Sequence, residues 1–163
     1  MAEKLKGRHQ VVVLGPATED VERAAKEMDV DFAVADVTKW EEIEAAVASV
    51  IENHGRIDCL VNNAGVWLKG PIDENDPADI KRVIDVNTTG VILLNRAVVP
   101  IMKRQKSGTI THTISQSGFY GKARTSVYVA SKWALTGLNR SLQTELAPFG
   151  IRVIGLYPTK GRG

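Results

Sequence analysis

Three side chains in one stretch of this sequence are of types that can move a proton together: Ser115, Tyr128 and Lys132. Tyr128 and Lys132 stand four residues apart where the pattern is helical, so both rise from one helix face, a turn apart. Ser115 follows the β-rich run Ile110, Thr111, Thr113, Ile114, and so lies where a strand runs out, the place at which open α/β sheets hold ligands. A free tyrosine has a pKa of about 10 and a free lysine about 10.4, so neither alone is a useful base at neutral pH. An ammonium a few ångströms from a phenol favours the phenolate and brings it toward the range where acid–base catalysis works best. A serine hydroxyl beside them can donate to a carbonyl or alkoxide oxygen as charge develops there. Tyr-x-x-x-Lys by itself fits an ordinary exposed helix face. The serine at the strand end sharpens the reading toward proton transfer at a substrate oxygen.

These residues carry a resemblance. Ser115 with Tyr128-Val129-Ala130-Ser131-Lys132 resembles the active-site segment of the short-chain dehydrogenases/reductases, and Asn62-Asn63-Ala64-Gly65 looks like that family's NNAG turn. Val86-Asn87-Thr88-Thr89-Gly90 is similar to the helix segment that carries the family's catalytic Asn, and Asp36-Val37-Thr38 to its Asp-Val turn against adenine. The resemblance implies an NAD(P)-dependent oxidoreductase acting on a carbonyl or secondary alcohol. By the same resemblance Asn87, Ser115, Tyr128 and Lys132 are the catalytic residues, with the Asn holding a helix kink and a water on the proton path to Lys. Asp36, Val37, Asn63, Ala64, Gly65, Tyr128, Lys132 and Pro158 would bind NAD or NADP, and no metal is implied. In relatives the residue after the matching proline is usually glycine; Thr159 departs from that.

Such a site must be carried by strands and helices. Val11–Leu14 is a continuous apolar run of the kind buried on both faces of a parallel sheet. Gly15-Pro16-Ala17 turns the chain, and Thr18 is placed to cap a helix with Val21, Ala24, Ala25 and Met28 on one face. A strand over Phe32–Ala35 ends at Asp36. A helix with Ile43, Ala46, Val47, Val50 and Ile51 follows, and His54-Gly55 closes it. Ile57–Val61 is the third strand. Asp76-Pro77 starts a helical pattern that continues past Ile80, Val83 and Ile84 to Met102. Asn87-Thr88-Thr89-Gly90 interrupts it, since these are weak helix formers. The strand ahead of Ser115, a helix over Ser126–Leu146 and a last strand, Ile151–Leu156, complete the chain. Strands alternating with helices predict a doubly wound parallel sheet, a Rossmann-derived three-layer α/β/α fold, in one domain over residues 1–163.

Two departures from the family shape the expected topology. No Gly-rich T-G-x-x-x-G-x-G turn is present; Leu14-Gly15-Pro16-Ala17-Thr18 has one glycine and a proline that removes an N–H. The resemblance runs from about Val11 to Pro158 and lacks the first βα unit and the C-terminal substrate segment. Val11–Leu14 then matches the family's second strand. If it moves into the central slot beside Ile57–Val61, the five strands take the flavodoxin-like order 2-1-3-4-5. The helix N-terminus at Pro16–Asp20 would face the pyrophosphate with Glu19 and Asp20 repelling it, so dinucleotide affinity is expected to be weak.

The composition narrows the class. At 163 residues, 44% hydrophobic and 25% charged, with net charge +2, this is one soluble globular domain's worth of chain. Scattered Lys and Arg argue against a nucleic-acid partner, and Val91–Met102, broken by Asn95, Arg96 and Pro100, is too short and polar to span a membrane. The N-terminus MAEKLKGRHQ has no apolar core behind it, and the single cysteine, Cys59, reads as a buried strand residue; a cytoplasmic protein is expected. The helices over Asn87–Lys103 and Ser126–Leu146 resemble the family's dimer-forming pair, which implies a homodimer or higher homo-oligomer. Trp67, Leu68, Phe119 and Tyr120 fit either an apolar substrate wall or a packing surface. A small carbonyl or alcohol is the expected substrate. Two other readings stay open: a catalytically weak or silent sensor or scaffold, and a different reaction such as epimerisation or dehalogenation on the same framework.

Overall fold

A computed structural model of the chain describes residues 2–16 and 19–159. The expected cap at Thr18 lies outside the described residues. Two compact units divide the chain, Met1–Arg56 and Ile57–Gly163.

In the first unit a short helix α1 (Ala2–Leu5) precedes strand β1 (Val12–Gly15), helix α2 (Glu19–Met28), strand β2 (Asp31–Val34) and helix α3 (Trp40–His54). β1 and β2 run parallel, with Val12 opposite Asp31 and Gly15 opposite Val34. Ala25 of α2 and Ile43, Ala46 and Val47 of α3 are buried, the inner stripe expected from their spacing. α3 ends as its sequence predicts: Gly55 takes φ 75°, open to a residue without Cβ, and its N–H donates to Ile51 O at 2.8 Å.

The second unit holds strand β3 (Cys59–Asn62), helix α4 (Pro77–Ile84), helix α5 (Gly90–Gln105), strand β4 (Gly108–Thr113), helix α6 (Ser126–Leu146) and strand β5 (Ile151–Leu156). Asp76 caps α4 by accepting from the Ala78 N–H at 2.7 Å, with Pro77 in the first turn. Between α4 and α5 lies one π-helical turn, Asp85–Thr89, where the polar run predicted an irregularity. β3, β4 and β5 are parallel and in that order. Val91 of α5, Leu135 of α6 and Ile114 beyond β4 form a buried cluster against which Leu138 and Tyr157 pack.

The α/β class with parallel strands is as expected: among the described residues the ladders are β1-β2 in the first unit and β3-β4-β5 in the second. Each ladder here follows a crossover that sets its own two strands side by side: α2 for β1 and β2, α5 for β3 and β4, α6 for β4 and β5. Cys59, read from the sequence as a buried strand residue, is exposed as the first residue of β3, the outer strand of the second unit's sheet.

Candidate active site

Ser115, Tyr128 and Lys132 line one cavity of about 240 Å³ in the second unit, together with Asn63, Gly65 and Pro158. Four segments place them. β4 ends at Thr113 and delivers Ser115 just past the strand end. α6 carries Tyr128 and Lys132 on adjacent turns, while the turn after β3 supplies Asn63 and Gly65. Pro158 follows β5. All four segments meet at the carboxyl ends of parallel strands.

Ser115 is strained. Its φ of 104° and ψ of 156° lie in a region populated almost only by glycine. The conformation lets its Oγ accept from the Ser117 N–H at 3.3 Å, which leaves the hydroxyl proton to donate elsewhere. The following 3₁₀ turn, Gln116–Gly118, lies against α6: Thr136 Oγ1 donates to Gly118 O at 3.0 Å. A Cβ on Gly118 would come within 2.7 Å of Thr136 Oγ1 and 3.2 Å of Lys132 O, so only glycine allows the approach.

Lys132 is buried, 4% exposed, and its ammonium donates to Thr113 O at 3.0 Å. It stands 5.6 Å from the centre of the Tyr128 ring. Burial pushes its pKa below the ordinary lysine value. The Trp67 ring lies 4.3 Å from that of Tyr128, tilted by 56°.

Asn87 is fully buried behind the cavity wall. Its Oδ1 accepts from Val66 N–H at 2.7 Å, and its Nδ2 donates to Val66 O at 2.9 Å and Ser131 Oγ at 3.1 Å. Ser131 in turn donates to Tyr128 O at 2.7 Å, and Thr88 Oγ1 to Ser131 O at 3.3 Å. The π turn therefore pins both the loop after Gly65 and the helix that carries Tyr128. Ser131 was missed as part of this network, although a serine three residues after Tyr128 is placed to bond back to its carbonyl. Val66 and Thr113 of the cavity wall carried no signal beyond their neighbours.

Of the other residues singled out in the sequence, Ala64 is exposed and does not line the cavity. Asp36 and Val37 belong to the first unit. The Asp36 carboxylate accepts from the Thr38 N–H at 2.9 Å and its hydroxyl at 2.8 Å, and these bonds, the backbone one foremost, hold its pKa below the usual value. Val37 is buried.

The model of the short chain dehydrogenase family matches residues 1–160. The chain belongs to that family. Among its relatives, the trans-4-hydroxycyclohexanecarboxylate dehydrogenase of Sinomonas cyclohexanicum is 36% identical over 127 residues, covering 78% of this chain and 49% of the relative. A gluconate 5-dehydrogenase from Burkholderia cenocepacia, solved with NADP and tartrate, superposes with a TM-score of 0.87 at 28% identity, over 96% of this chain and 63% of that one. The 3-ketoacyl-(acyl-carrier-protein) reductase from Brucella melitensis, solved with NADH, gives 0.91 at 29% identity, over 96% and 67%. The chain thus spans about half the length of this curated dehydrogenase relative. The doubly wound α/β fold of the solved relatives is the class read from the sequence.

A nicotinamide cofactor can be tested against the donors present. Lys132 spends one of its three N–H donors on Thr113 O, leaving donors for a ribose diol in a cavity that Asn63, Tyr128 and Pro158 share. That set fits the nicotinamide–ribose end. At the start of the chain, Gly15 is spent on packing, since a Cβ there would press the Val21 side chain at 3.0 Å.

Proposed function

We propose that this chain is the catalytic part of an NAD(P)-dependent oxidoreductase that interconverts a small carbonyl compound and its secondary alcohol. The observation that carries this is the meeting of Ser115, Tyr128 and Lys132 around one cavity. A reduced nicotinamide, when bound, supplies the hydride to the carbonyl carbon. Tyr128 donates its phenolic proton to the carbonyl oxygen, so the oxygen leaves as a neutral hydroxyl. Lys132 sets its positive charge beside the oxygen that has lost the proton and holds the ribose hydroxyls. Ser115, whose oxygen already accepts from Ser117, points the carbonyl by donating to it. Asn87 keeps the loop at Val66 and the helix at Ser131 in register, so that the proton path from Lys132 is held open.

NAD and NADP are both in keeping with the relatives, one of which was solved with NADP and another with NADH. Asn63, Gly65 and Pro158, which line the cavity of the second unit, are proposed for the nicotinamide end. A homodimer associating through α5 and α6 is part of the proposal, since Ile92 and Trp133 are exposed there. Among the described residues no helix is long and apolar enough to cross a membrane.

The test is reduction of simple ketones with NADH and NADPH, followed by absorbance. Tyr128→Phe should lower turnover by about 10²–10⁴-fold, the usual worth of a general acid. Activity that survives in Tyr128→Phe, or no thermal shift of the wild type with millimolar cofactor, refutes the assignment.

A further inference from the structure

We infer that the site selects a carbonyl borne on or beside a flat six-membered ring, with Trp67 as the platform for that ring; this rests on the oxidoreductase reading above. The cavity is lined by polar groups, Ser115, Tyr128 and Lys132 among them, and by the apolar side chains of Val66, Trp67 and Ile114. An open-chain polyol would set hydroxyls against those apolar side chains, which offer them no hydrogen-bond partner. A ring with few polar atoms has no such penalty.

Trp67 supplies the geometry. Its ring sits 4.3 Å from that of Tyr128 at 56°, so the two aromatic planes make a corner beside the phenol rather than a closed stack. More than half of Trp67 is still exposed, 56%, although it touches Tyr128 and lines the cavity. An indole so placed is apolar area that a ligand can cover, and flat rings gain from offset or edge contact with it. The loop holding Trp67 is not free to swing: its neighbour Val66 is bonded on both backbone groups by Asn87, and Gly70 N–H donates to Arg124 O at 2.9 Å.

The full chain is assayed with NADH and NADPH on acetophenone, propiophenone and an open-chain ketose, for the wild type, Trp67→Ala and Trp67→Phe. Binding of acetophenone is followed in parallel by saturation-transfer NMR. Trp67→Ala should lower the ratio of kcat/KM for the ring ketones to that for the ketose by about tenfold, and Trp67→Phe should restore most of it. Turnover with an unchanged ratio overturns the ring platform and leaves the oxidoreductase standing. No turnover of any carbonyl, with acetophenone bound by the wild type and lost in Trp67→Ala, supports the platform and refutes the reaction. Neither turnover nor binding refutes both.

Discussion

At the scale of residues, Ser115 shows most plainly a site held against local preference. Its φ of 104° and ψ of 156° cost of order 1–3 kcal/mol in any residue but glycine. Ser115→Ala keeps that strain and Ser115→Gly removes it, less the roughly 0.4–1 kcal/mol that glycine loses through its freer unfolded chain. In urea unfolding Ser115→Gly is therefore expected to be more stable than Ser115→Ala, while both lose carbonyl reduction. Equal stability would show that the conformation carries no stored energy. Tyr128, Lys132 and Ser115 were legible from types and spacing because a helix repeats every turn and a strand end is marked by the residues that break it. The strain at Ser115 was not, since nothing local in its neighbours demands a positive φ; the contacts of the next turn with α6 impose it.

At the scale of elements, His112 ties β4 to two helices. It is fully buried; its Nε2 lies 3.0 Å from Asn95 Nδ2, which also donates to Val91 O at 2.7 Å, and its Nδ1 lies 3.0 Å from Asn139 Oδ1. These partners fix a neutral ring that accepts at Nε2 and donates at Nδ1. Burial holds the His112 pKa below the ordinary histidine value, against the opposing effect of the Asn139 bond. The unfolded chain therefore takes up the proton first. Stability is full above about pH 6.5 and falls as pH drops through the window beneath it. Unfolding free energies measured at pH 7 and pH 5 should differ less in His112→Asn than in the wild type; an equal drop in both would remove His112 as the cause. The limits of α6 and β5 could be read in advance, as could the cap at Asp76 and the irregular turn at Asn87. Long periodic runs and capping residues are local signals. β3 was placed too early and too deep, because a short apolar run looks the same on an edge as in the middle of a sheet.

At the scale of the whole molecule, association is the property most open to test. Ile92 on α5 and Trp133 on α6 are 44% and 50% exposed, large apolar side chains on helices proposed to meet a second copy. Sedimentation should give a dimer for the wild type and a monomer for Trp133→Glu, with helix content unchanged by circular dichroism. A wild-type monomer refutes the proposed homodimer.

The sequence by itself determined the family, the alternation of strands with helices and the trio that meets at the cavity, because each depends on residue type at short spacing. Only the tertiary structure decided the registers of β1 on β2 and of β3 on β4, that Cys59 is exposed, that Asn87 bonds its side chain to Val66 and Ser131, and that Trp67 stands against Tyr128. Ladder partners and side-chain contacts across many residues are set by which crossovers bring segments together, and no window of neighbouring residues contains that information.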